Sequence, residues 1–422
     1  MLLFLTALGM PIAHALMSAV FLTLIIGFDI PLSMVVATII TSVDQWIWLT
    51  MPLFLMLGYT MNEAGVTDRL INLSQEIIGH IPGGLSHVNV GVSLLLSGMS
   101  GSSSADAASV GAIMIRPMKE AGYPAAYASA ITSTSSIIGP LIPPSLVLII
   151  MAVLGQLSVL RLWLGGVVPG LLLGIGLITT GYLMARRKGF PRMEQKASLK
   201  RIVKQGGLAA PALVIPVVII GGMRLGVFSP TEAGAVGVVY LMLLGSLVYR
   251  KLNLQGIREV GLMTVRLTGP LMWIIAMALT FGVVVGRLNV GPAFAEFLQG
   301  ITTNPTVFLI IVSAVILFLG CIMEGAPLTV ILYPLLHPVV LVYGIDPYSF
   351  AILFSYAVLV GQCTPPVGPS MFISNAIAGC SIADYMREGW PLLMTQVLLI
   401  PLFIFFPPLI TWFPNMVMGP AG

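Results

Sequence analysis

The amino-acid sequence predicts an all-α polytopic membrane protein made of two inverted repeats, each with a re-entrant helical hairpin and a broken transmembrane helix. Three observations lead to this prediction: an apolar composition, one strongly basic loop in mid-chain, and proline and glycine landmarks that occur twice. Of the 422 residues, 58% are hydrophobic and 8% are charged, whereas a soluble globular domain has about 25% charged residues. The lipid bilayer is therefore the expected environment of the chain.

Apolar stretches long enough to cross a membrane recur along the sequence. A helix of about 20 apolar residues crosses the roughly 30 Å hydrocarbon core, and such stretches lie at residues 2–26, 162–184, 267–285 and 390–410. No Lys or Arg precedes Arg69, so the first stretch lacks the basic flank of a secretory signal peptide. We expect it to be retained as the first spanning helix.

Residues that hold metals or cofactors are sparse. Cys321, Cys363 and Cys380 lie far apart and the four histidines are scattered, so neither a disulfide framework nor a zinc site is predicted. The sequence has no G-x-x-x-x-G-K-[ST] phosphate-binding loop, which excludes ATP hydrolysis by this chain. We expect no cofactor, and any energy must come from a gradient or a partner.

One basic segment divides the chain into near-equal halves. Eight of the 19 basic residues lie within residues 186–204 against one acid, Glu194. The eight are Arg186, Arg187, Lys188, Arg192, Lys196, Lys200, Arg201 and Lys204. Because basic loops stay on the cytoplasmic side, we predict a cytoplasmic loop and interpret the net charge of +4 as a topology signal, with no nucleic-acid partner. The first repeat is assigned to residues 1–185, the connecting loop to 186–206 and the second repeat to 207–422.

Matching landmarks occur in both halves. Residues 122–124 (GYP) open an apolar helix that stops at the proline pair 143–144, and residues 344–347 (GIDP) open one that stops at the pair 365–366. The opening proline precedes the pair by 19 residues in the first half and by 18 in the second. Because proline removes a backbone donor and clashes with the preceding turn, each pair should break its helix. The broken helices are predicted at about residues 123–156 and 347–379.

The distribution of basic residues predicts that the repeats are inverted. Counting span by span from a cytoplasmic central loop puts 16 of the 19 basic residues on the cytoplasmic side and leaves Arg161, Arg224 and Arg287 outside. The hairpin of the first half then opens to the cytoplasm and its counterpart opens to the other side. Such inverted repeats support alternating access around a site near the middle of the membrane.

Each half also contains a segment that predicts a re-entrant hairpin. The apolar runs at residues 88–96 and 110–115 are too short to cross separately, and residues 97–106 between them are rich in Gly and Ser. Non-helical backbone at membrane depth needs protein or water partners, so this tip is expected to line a site. Residues 320–327 are the corresponding tip of the second half. The hairpins are predicted at about residues 85–118 and 305–343.

The tips and breaks together supply the groups of an ion and substrate site. Free carbonyls, the hydroxyls of residues 132–136 and the acids Asp106 and Glu324 are hard oxygen ligands suited to sodium, while half-helix N-termini favour a substrate carboxylate. An acid inside the membrane is a functional candidate by default, although each of these acids also fits a helix N-cap. Gly, Ser and Pro are also common in transmembrane helices as packing surfaces and kinks.

Several motifs resemble the large membrane subunit of tripartite ATP-independent periplasmic (TRAP) transporters. They are residues 98–106 (GMSGSSSAD), 122–124 (GYP), 138–145 (IGPLIPPS), 229–233 (SPTEA) and 361–368 (GQCTPPVG). The resemblance covers essentially the whole chain and rests on the order and spacing of these motifs. The length and the start at Met1 lead us to expect the unfused large subunit.

This resemblance implies an elevator-type, sodium-driven importer of organic acids in the inner membrane of a bacterium or archaeon. Its partners would be a small four-helix membrane subunit and a periplasmic substrate-binding protein, with Na⁺ as the coupling ion. The two hairpins and the two broken helices would form a transport domain that slides against a scaffold domain.

The resemblance also implies site residues at the matching positions. The first sodium site would use Ser102, Ser103, Ser104, Asp106, Gly139 and Pro140. The second would use Glu324, Gly325, Ala326, Thr364, Pro365 and Gly368. The substrate would lie between the tips, near Ser103, Thr134 and Gly325.

Two other functional classes remain open on the sequence. A stand-alone, ion-coupled anion carrier of a related inverted-repeat fold would need no binding protein. An intramembrane enzyme would need a nucleophile with a base or a metal set, and the sequence has no H-E-x-x-H and no G-x-S-x-G motif. The substrate itself is left open among dicarboxylates such as C4-dicarboxylates, sugar acids such as sialic acid, and amino acids.

Overall fold

The chain folds into α-helices. The computed structural model describes all residues except 1–4, 6–9, 27–30, 97–100, 192–197, 289 and 421–422, and the described part contains no β-strand. Its helices are α1 Ile12–Ile25, α2 Leu32–Val43, α3 Thr50–Glu63, α4 Val66–Ile78, α5 Gly84–Leu95, α6 Ser103–Glu120, α7 Ala125–Ser136, α8 Leu146–Gly155, α9 Val159–Lys188, α10 Leu199–Arg224, α11 Pro230–Leu243, α12 Leu254–Arg287, α13 Val290–Ile301, α14 Pro305–Gly320, α15 Gly325–Val342, α16 Pro347–Gln362, α17 Pro369–Ala378, α18 Ile382–Phe405 and α19 Pro408–Met418.

Several of these helices can cross a membrane. Within the described residues, six are long and apolar enough: α9, α10, α11 with its π-helical extension to Val248, α12, α15 and α18. The bent pair Leu32–Val43 and Trp46–Glu63, with 48° between its parts, is a seventh candidate. The prediction of an all-α polytopic membrane protein is therefore confirmed. Some of the residues invoked from the sequence lie outside the described part, namely most of the stretch before Met10, the tip residues 97–100, and Arg192, Glu194 and Lys196.

The helical conformation is interrupted at both proline pairs. After α7 ends at Ser136 the chain is non-helical until α8 begins at Leu146, and after α16 ends at Gln362 it is non-helical until α17 begins at Pro369. Each interruption contains one cis peptide bond, within the proline pair itself. In the first, the Ser145 side chain caps α8 by accepting a hydrogen bond from the Leu148 N–H (3.3 Å), which satisfies one free donor of the new helix.

The second hairpin packs against α16 through glycines. A Cβ added to Gly320 at the end of α14 would lie 2.6 Å from the Val358 carbonyl oxygen, and one added to Gly361 would lie 2.4 Å from the Leu317 carbonyl oxygen. Only glycine permits this backbone approach, as is common where membrane helices pack closely. The glycine contacts fix the hairpin tip beside the second helix break.

A run of buried hydroxyl groups on α7 connects several neighbouring helices. The Thr132 hydroxyl accepts from the Asn89 amide of α5 (2.7 Å), and the Ser129 hydroxyl donates to the Asn375 amide oxygen of α17 (2.6 Å). Residues 132–136, expected as sources of ion-ligating hydroxyls, are fully buried, and each of their hydroxyls makes a hydrogen bond within the protein. These bonds join α7 to its neighbours as one body.

Charged residues tie helix ends together on the side predicted to be cytoplasmic. Lys188 pairs with Glu388. Further pairs join Arg201 to Glu76 (3.2 Å) and Lys251 to Asp68 (2.7 Å). Because partly exposed ion pairs contribute only about 0–1 kcal/mol each, these contacts orient the ends of α4, α9, α10 and α18 more than they stabilise them.

On the opposite side, two arginines hold the C-terminal end of α19. Arg161 donates to the Asn415 side chain (2.8 Å) and to the Gly419 carbonyl (2.7 Å), and Arg224 donates to the Val417 carbonyl (2.8 Å). Cations favour helix C-termini, where carbonyls lack helical partners. These arginines, predicted to be outside, thereby connect α9 and α10 to α19.

Replacing Gly361 by alanine should lower the thermal stability, because the new Cβ would lie 2.4 Å from the Leu317 carbonyl oxygen. We expect a loss of about 1–3 kcal/mol, the usual cost of overpacking, measured as a lower unfolding midpoint of the detergent-solubilised chain. Gly261→Ala on α12 is the control, since no atom of the described residues beyond its own helix backbone and chain neighbours lies within 4 Å of its Cβ position. Equal midpoints for the two variants would contradict the close packing.

Candidate functional site

A cavity of about 800 Å³ lies between the hairpin tips and two helices, α3 and α12. The wall formed by α3 and α12 is mostly apolar and includes Met51, Leu55, Leu267, Leu271 and Ile274. The opposite wall consists of the tips and the first turn of α8, and it includes Gly101, Ser102, Ser104, Asp106, Leu146, Glu324 and Ala326. The polar groups thus concentrate on one side.

Three helix N-termini converge on this cavity. The first residues of α6, α8 and α15 line it, represented by Ser104, Leu146 and Ala326. The N-terminal N–H groups of a helix carry a partial positive charge and bind anions. None of the described residues that line the cavity is Lys, Arg or His, so the helix ends are its main source of positive potential.

Asp106 brings the first hairpin tip against the first helix break. It lies in the first turn of α6 and is 7% exposed. Its Oδ2 atom lies so close to Gly139 that a Cβ added there would be 1.7 Å from it. Asp106 and Gly139, both predicted for the first sodium site, are therefore in contact, and only glycine leaves room for the carboxylate.

The N-cap interpretation of Asp106 is wrong. Helix α6 begins at Ser103, and its N-cap is Ser102, whose hydroxyl accepts a hydrogen bond from the Ala105 N–H (3.4 Å). Glu324 does occupy the N-cap position of α15, but its side chain makes no capping hydrogen bond. It instead accepts a hydrogen bond from the Ser102 hydroxyl (3.1 Å), so the two hairpin tips meet.

The other residues implied for the first site divide between two places. Ser104 lines the cavity, and its buried hydroxyl makes no hydrogen bond to any residue that the structure describes. The Pro140 carbonyl accepts a short hydrogen bond from Ser145. Ser103 turns away toward the second break, where its hydroxyl donates to the Gln362 side chain.

Carbonyl oxygens converge at the second break. Gly368 has a φ of +50°, and its N–H donates to the Cys321 carbonyl of the second tip (2.7 Å). The point where a Gly368 Cβ would lie is 2.8 Å from the Thr364 carbonyl oxygen and 3.1 Å from that of Gln362. The Thr364 hydroxyl donates to the Val360 carbonyl (2.8 Å), and its oxygen keeps lone pairs that can bind a cation.

The remaining residues implied for the second site lie close by. Gly325 begins α15, and a Cβ on it would lie 2.7 Å from the Gln362 amide nitrogen. Ala326 lines the cavity. Pro365 lies within the break itself and is partly exposed.

Gln362 is a site residue that the sequence reasoning missed. It is 2% exposed, accepts from Ser103 of the first tip and adjoins Gly325 of the second. The available signal was an uncharged polar residue that ends an apolar helix three residues before a proline pair. Tyr59 and Asn62 of α3, which also line the cavity, were missed as well.

The three residues implied for the substrate do not meet at one place. Ser103 and Gly325 both adjoin Gln362. Thr134 is fully buried in α7, with its hydroxyl bonded to the Ala130 carbonyl (2.7 Å) and its carbonyl accepting from Gln396 (2.8 Å). Thr134 is not among the described residues that line the cavity.

Replacing Gln362 by alanine should loosen the contact between the two tips. Loss of one buried side-chain hydrogen-bond partner costs about 1–3 kcal/mol, so the unfolding midpoint should fall. Gln255→Ala, at an exposed position of α12, is the control and should leave the midpoint unchanged. If both variants unfold at the wild-type temperature, Gln362 does not join the tips.

The chain resembles known proteins in sequence and in structure. Residues 1–409 match the family of the tripartite ATP-independent periplasmic transporter, DctM component. The sialic acid TRAP transporter large permease protein SiaM of Vibrio cholerae is 34% identical over 97% of this chain and 96% of its own length. The C4-dicarboxylate TRAP transporter large permease protein DctM of Pseudomonas aeruginosa is 35% identical over 88% of this chain and 87% of its own length.

The chain is also similar to a longer protein and to a protein of known structure. The sialic acid TRAP transporter permease protein SiaT of Haemophilus influenzae is 32% identical over 90% of this chain, which spans 62% of that protein. The YdaH transporter of Alcanivorax borkumensis has a similar structure, with a TM-score of 0.62 over 89% of this chain and 88% of that one. At 17% identity, the latter likeness concerns the fold alone.

Proposed function

The chain belongs to the DctM-component family of tripartite ATP-independent periplasmic transporters, and on this premise we propose that it imports an organic acid together with Na⁺. Its relatives are permeases rather than enzymes. The family and the helices long enough to cross a membrane make it a multi-pass inner-membrane protein. It is a large permease subunit.

One observation carries the proposal: two hairpin tips meet two helix breaks at the edge of one cavity. Asp106 lies against Gly139 at the first break, and the Gln362 and Thr364 carbonyls converge at the second. Carboxylate and carbonyl oxygens are hard ligands, and broken membrane helices use them to bind Na⁺. We assign one sodium ion to each break.

An organic acid is the substrate that suits the cavity. Related proteins are named for sialic acid and for C4-dicarboxylates, both of which are carboxylates. In this chain three helix N-termini border the cavity, and no Lys, Arg or His of the described part lines it. The substrate carboxylate is then bound by helix ends and by the sodium ions, so that binding requires Na⁺.

The proposed movement is an elevator between a scaffold and a transport domain, organised as two inverted repeats. Helices α3 and α12 belong to the scaffold, and the tips and breaks belong to the moving part. The scaffold wall is apolar at Met51, Leu55 and Leu271, so it can slide past the tips without breaking hydrogen bonds. Helices α4 and α13 would act as the connecting arms.

We further propose that a periplasmic binding protein delivers the substrate and that a small four-helix membrane subunit accompanies this chain. The support is membership of a tripartite family. A stand-alone ion-coupled carrier is the competing arrangement, and it differs by transporting without the binding protein.

Uptake into proteoliposomes that hold this chain and its small subunit tests the proposal, with N-acetylneuraminate and succinate as first substrates. We expect uptake to require both an inward Na⁺ gradient and the binding protein. Asp106→Asn should raise the half-saturating Na⁺ concentration about tenfold or more, since tenfold corresponds to only about 1.4 kcal/mol and the change removes a charged ligand.

Glu120→Gln, at an exposed ion pair on the same helix, is the matched control and should behave as wild type. Uptake that is indifferent to the binding protein would favour the stand-alone carrier. Uptake independent of Na⁺, or an Asp106→Asn variant with unchanged Na⁺ dependence, would contradict the sodium assignment.

A further inference from the structure

A second, smaller cavity adjoins the main one. It has a volume of about 150 Å³ and is lined by Tyr59, Glu63, Glu259, Met263 and Arg266, among others. Tyr59 lines both cavities. The two spaces therefore adjoin at this side chain, and we call the smaller one the vestibule.

The vestibule continues the groove between α3 and α12. On α12, Met263, Arg266 and Pro270 follow one another at helical spacing, which puts them on one face. Pro270 lines the main cavity, whereas Met263 and Arg266 line the vestibule. On α3, Tyr59 and Glu63 are likewise four residues apart. A solute leaving the cavity along this groove passes Tyr59 and then reaches Arg266.

The length of α12 places the vestibule near the membrane boundary. The helix has 34 residues and is about 51 Å long at 1.5 Å per residue, which is roughly 20 Å more than the hydrocarbon core. Arg266 lies about 18 Å from the start of the helix at Leu254. The intervening turns carry Arg258 and Glu259, so Arg266 lies where α12 enters the hydrocarbon from the side predicted to be cytoplasmic.

Arg266 is the first basic residue that a solute meets on this route. The main cavity contains none among its described lining residues, and the ion pairs of the described part do not include Arg266. Glu63 and Glu259 line the same vestibule. A guanidinium flanked by two carboxylates can bind a carboxylate, but weakly, because the acids oppose a second anion.

We propose that Arg266 forms a second, weak binding site for the carboxylate of the substrate, occupied as the substrate leaves the main cavity for the cytoplasm. The inference rests on the proposed import of an organic acid. An anion that departs from three helix N-termini loses favourable electrostatic energy, and a cation one step along the groove offsets that loss. The two glutamates oppose occupancy of this site, so the step from the main cavity to Arg266 limits the rate of transport.

The experiment measures initial uptake rates in proteoliposomes holding the chain, its small subunit and the binding protein, with the acid that the wild type carries. Arg266→Gln should lower the maximal rate about three- to tenfold while leaving the half-saturating Na⁺ concentration unchanged. Arg266→Lys should restore most of the rate, because it keeps the charge. Glu259→Gln should raise the maximal rate, which provides a test even if Arg266→Gln fails to fold.

Arg258→Gln is the matched control, since it removes the same charge from the same helix outside both cavities. The proposal is overturned if Arg266→Gln and Arg258→Gln have the same rate, if Arg266→Lys is as slow as Arg266→Gln, or if Glu259→Gln lowers the rate. A wild-type chain that carries no acid on a Na⁺ gradient contradicts the proposed function instead, and that result is seen before any variant is made.

Discussion

The structure depends on satisfying backbone polar groups at two places where membrane helices are broken. A hydrocarbon environment offers no partners for free N–H and C=O groups, so each break must find them within the protein or in a water-filled cavity. At the second break the Gly368 N–H is paired with the Cys321 carbonyl of a hairpin tip. At the first, the Pro140 carbonyl and the α8 N-terminus are both bonded to Ser145. The carbonyls of Gln362 and Thr364 that converge near Gly368 are suited to a cation.

The need to satisfy backbone polar groups at the breaks also explains why hydrogen-bonded contacts lie around the breaks and apolar contacts lie across the cavity. The second break is held by close backbone contacts at Gly320 and Gly361, and α7 joins its neighbours through buried hydroxyls. The wall across the cavity, on α3 and α12, is largely apolar. Apolar contacts are non-directional, so the proposed transport domain can move along that wall as one body while its own hydrogen bonds remain intact.

Local sequence signals predicted the segments that form the site. They did not predict which residues of those segments contact one another. The membrane class could be predicted because an apolar composition suits the bilayer. The helix ends could be predicted because proline removes a backbone donor and breaks a helix. Asp106 and Gly139, implied together by the family resemblance, are in contact. The role of Gln362 could not be predicted, because it depends on how α16 is rotated against two distant tips. Thr134, implied for the substrate site, is not among the described residues that line the cavity, and the orientation of α7 is set by its bonds to α5, α17 and α18.

The two sodium sites are tested most directly by cryo-EM of the complex of this chain and its small subunit, with one structure determined in sodium and one in choline. If the broken helices bind the ions, two densities appear only in sodium, one beside Asp106 and Gly139 and one at the Gln362 and Thr364 carbonyls next to Gly368. The broken helices are not the ion sites if sodium-dependent density appears elsewhere in the molecule while both breaks are unchanged between the two salts.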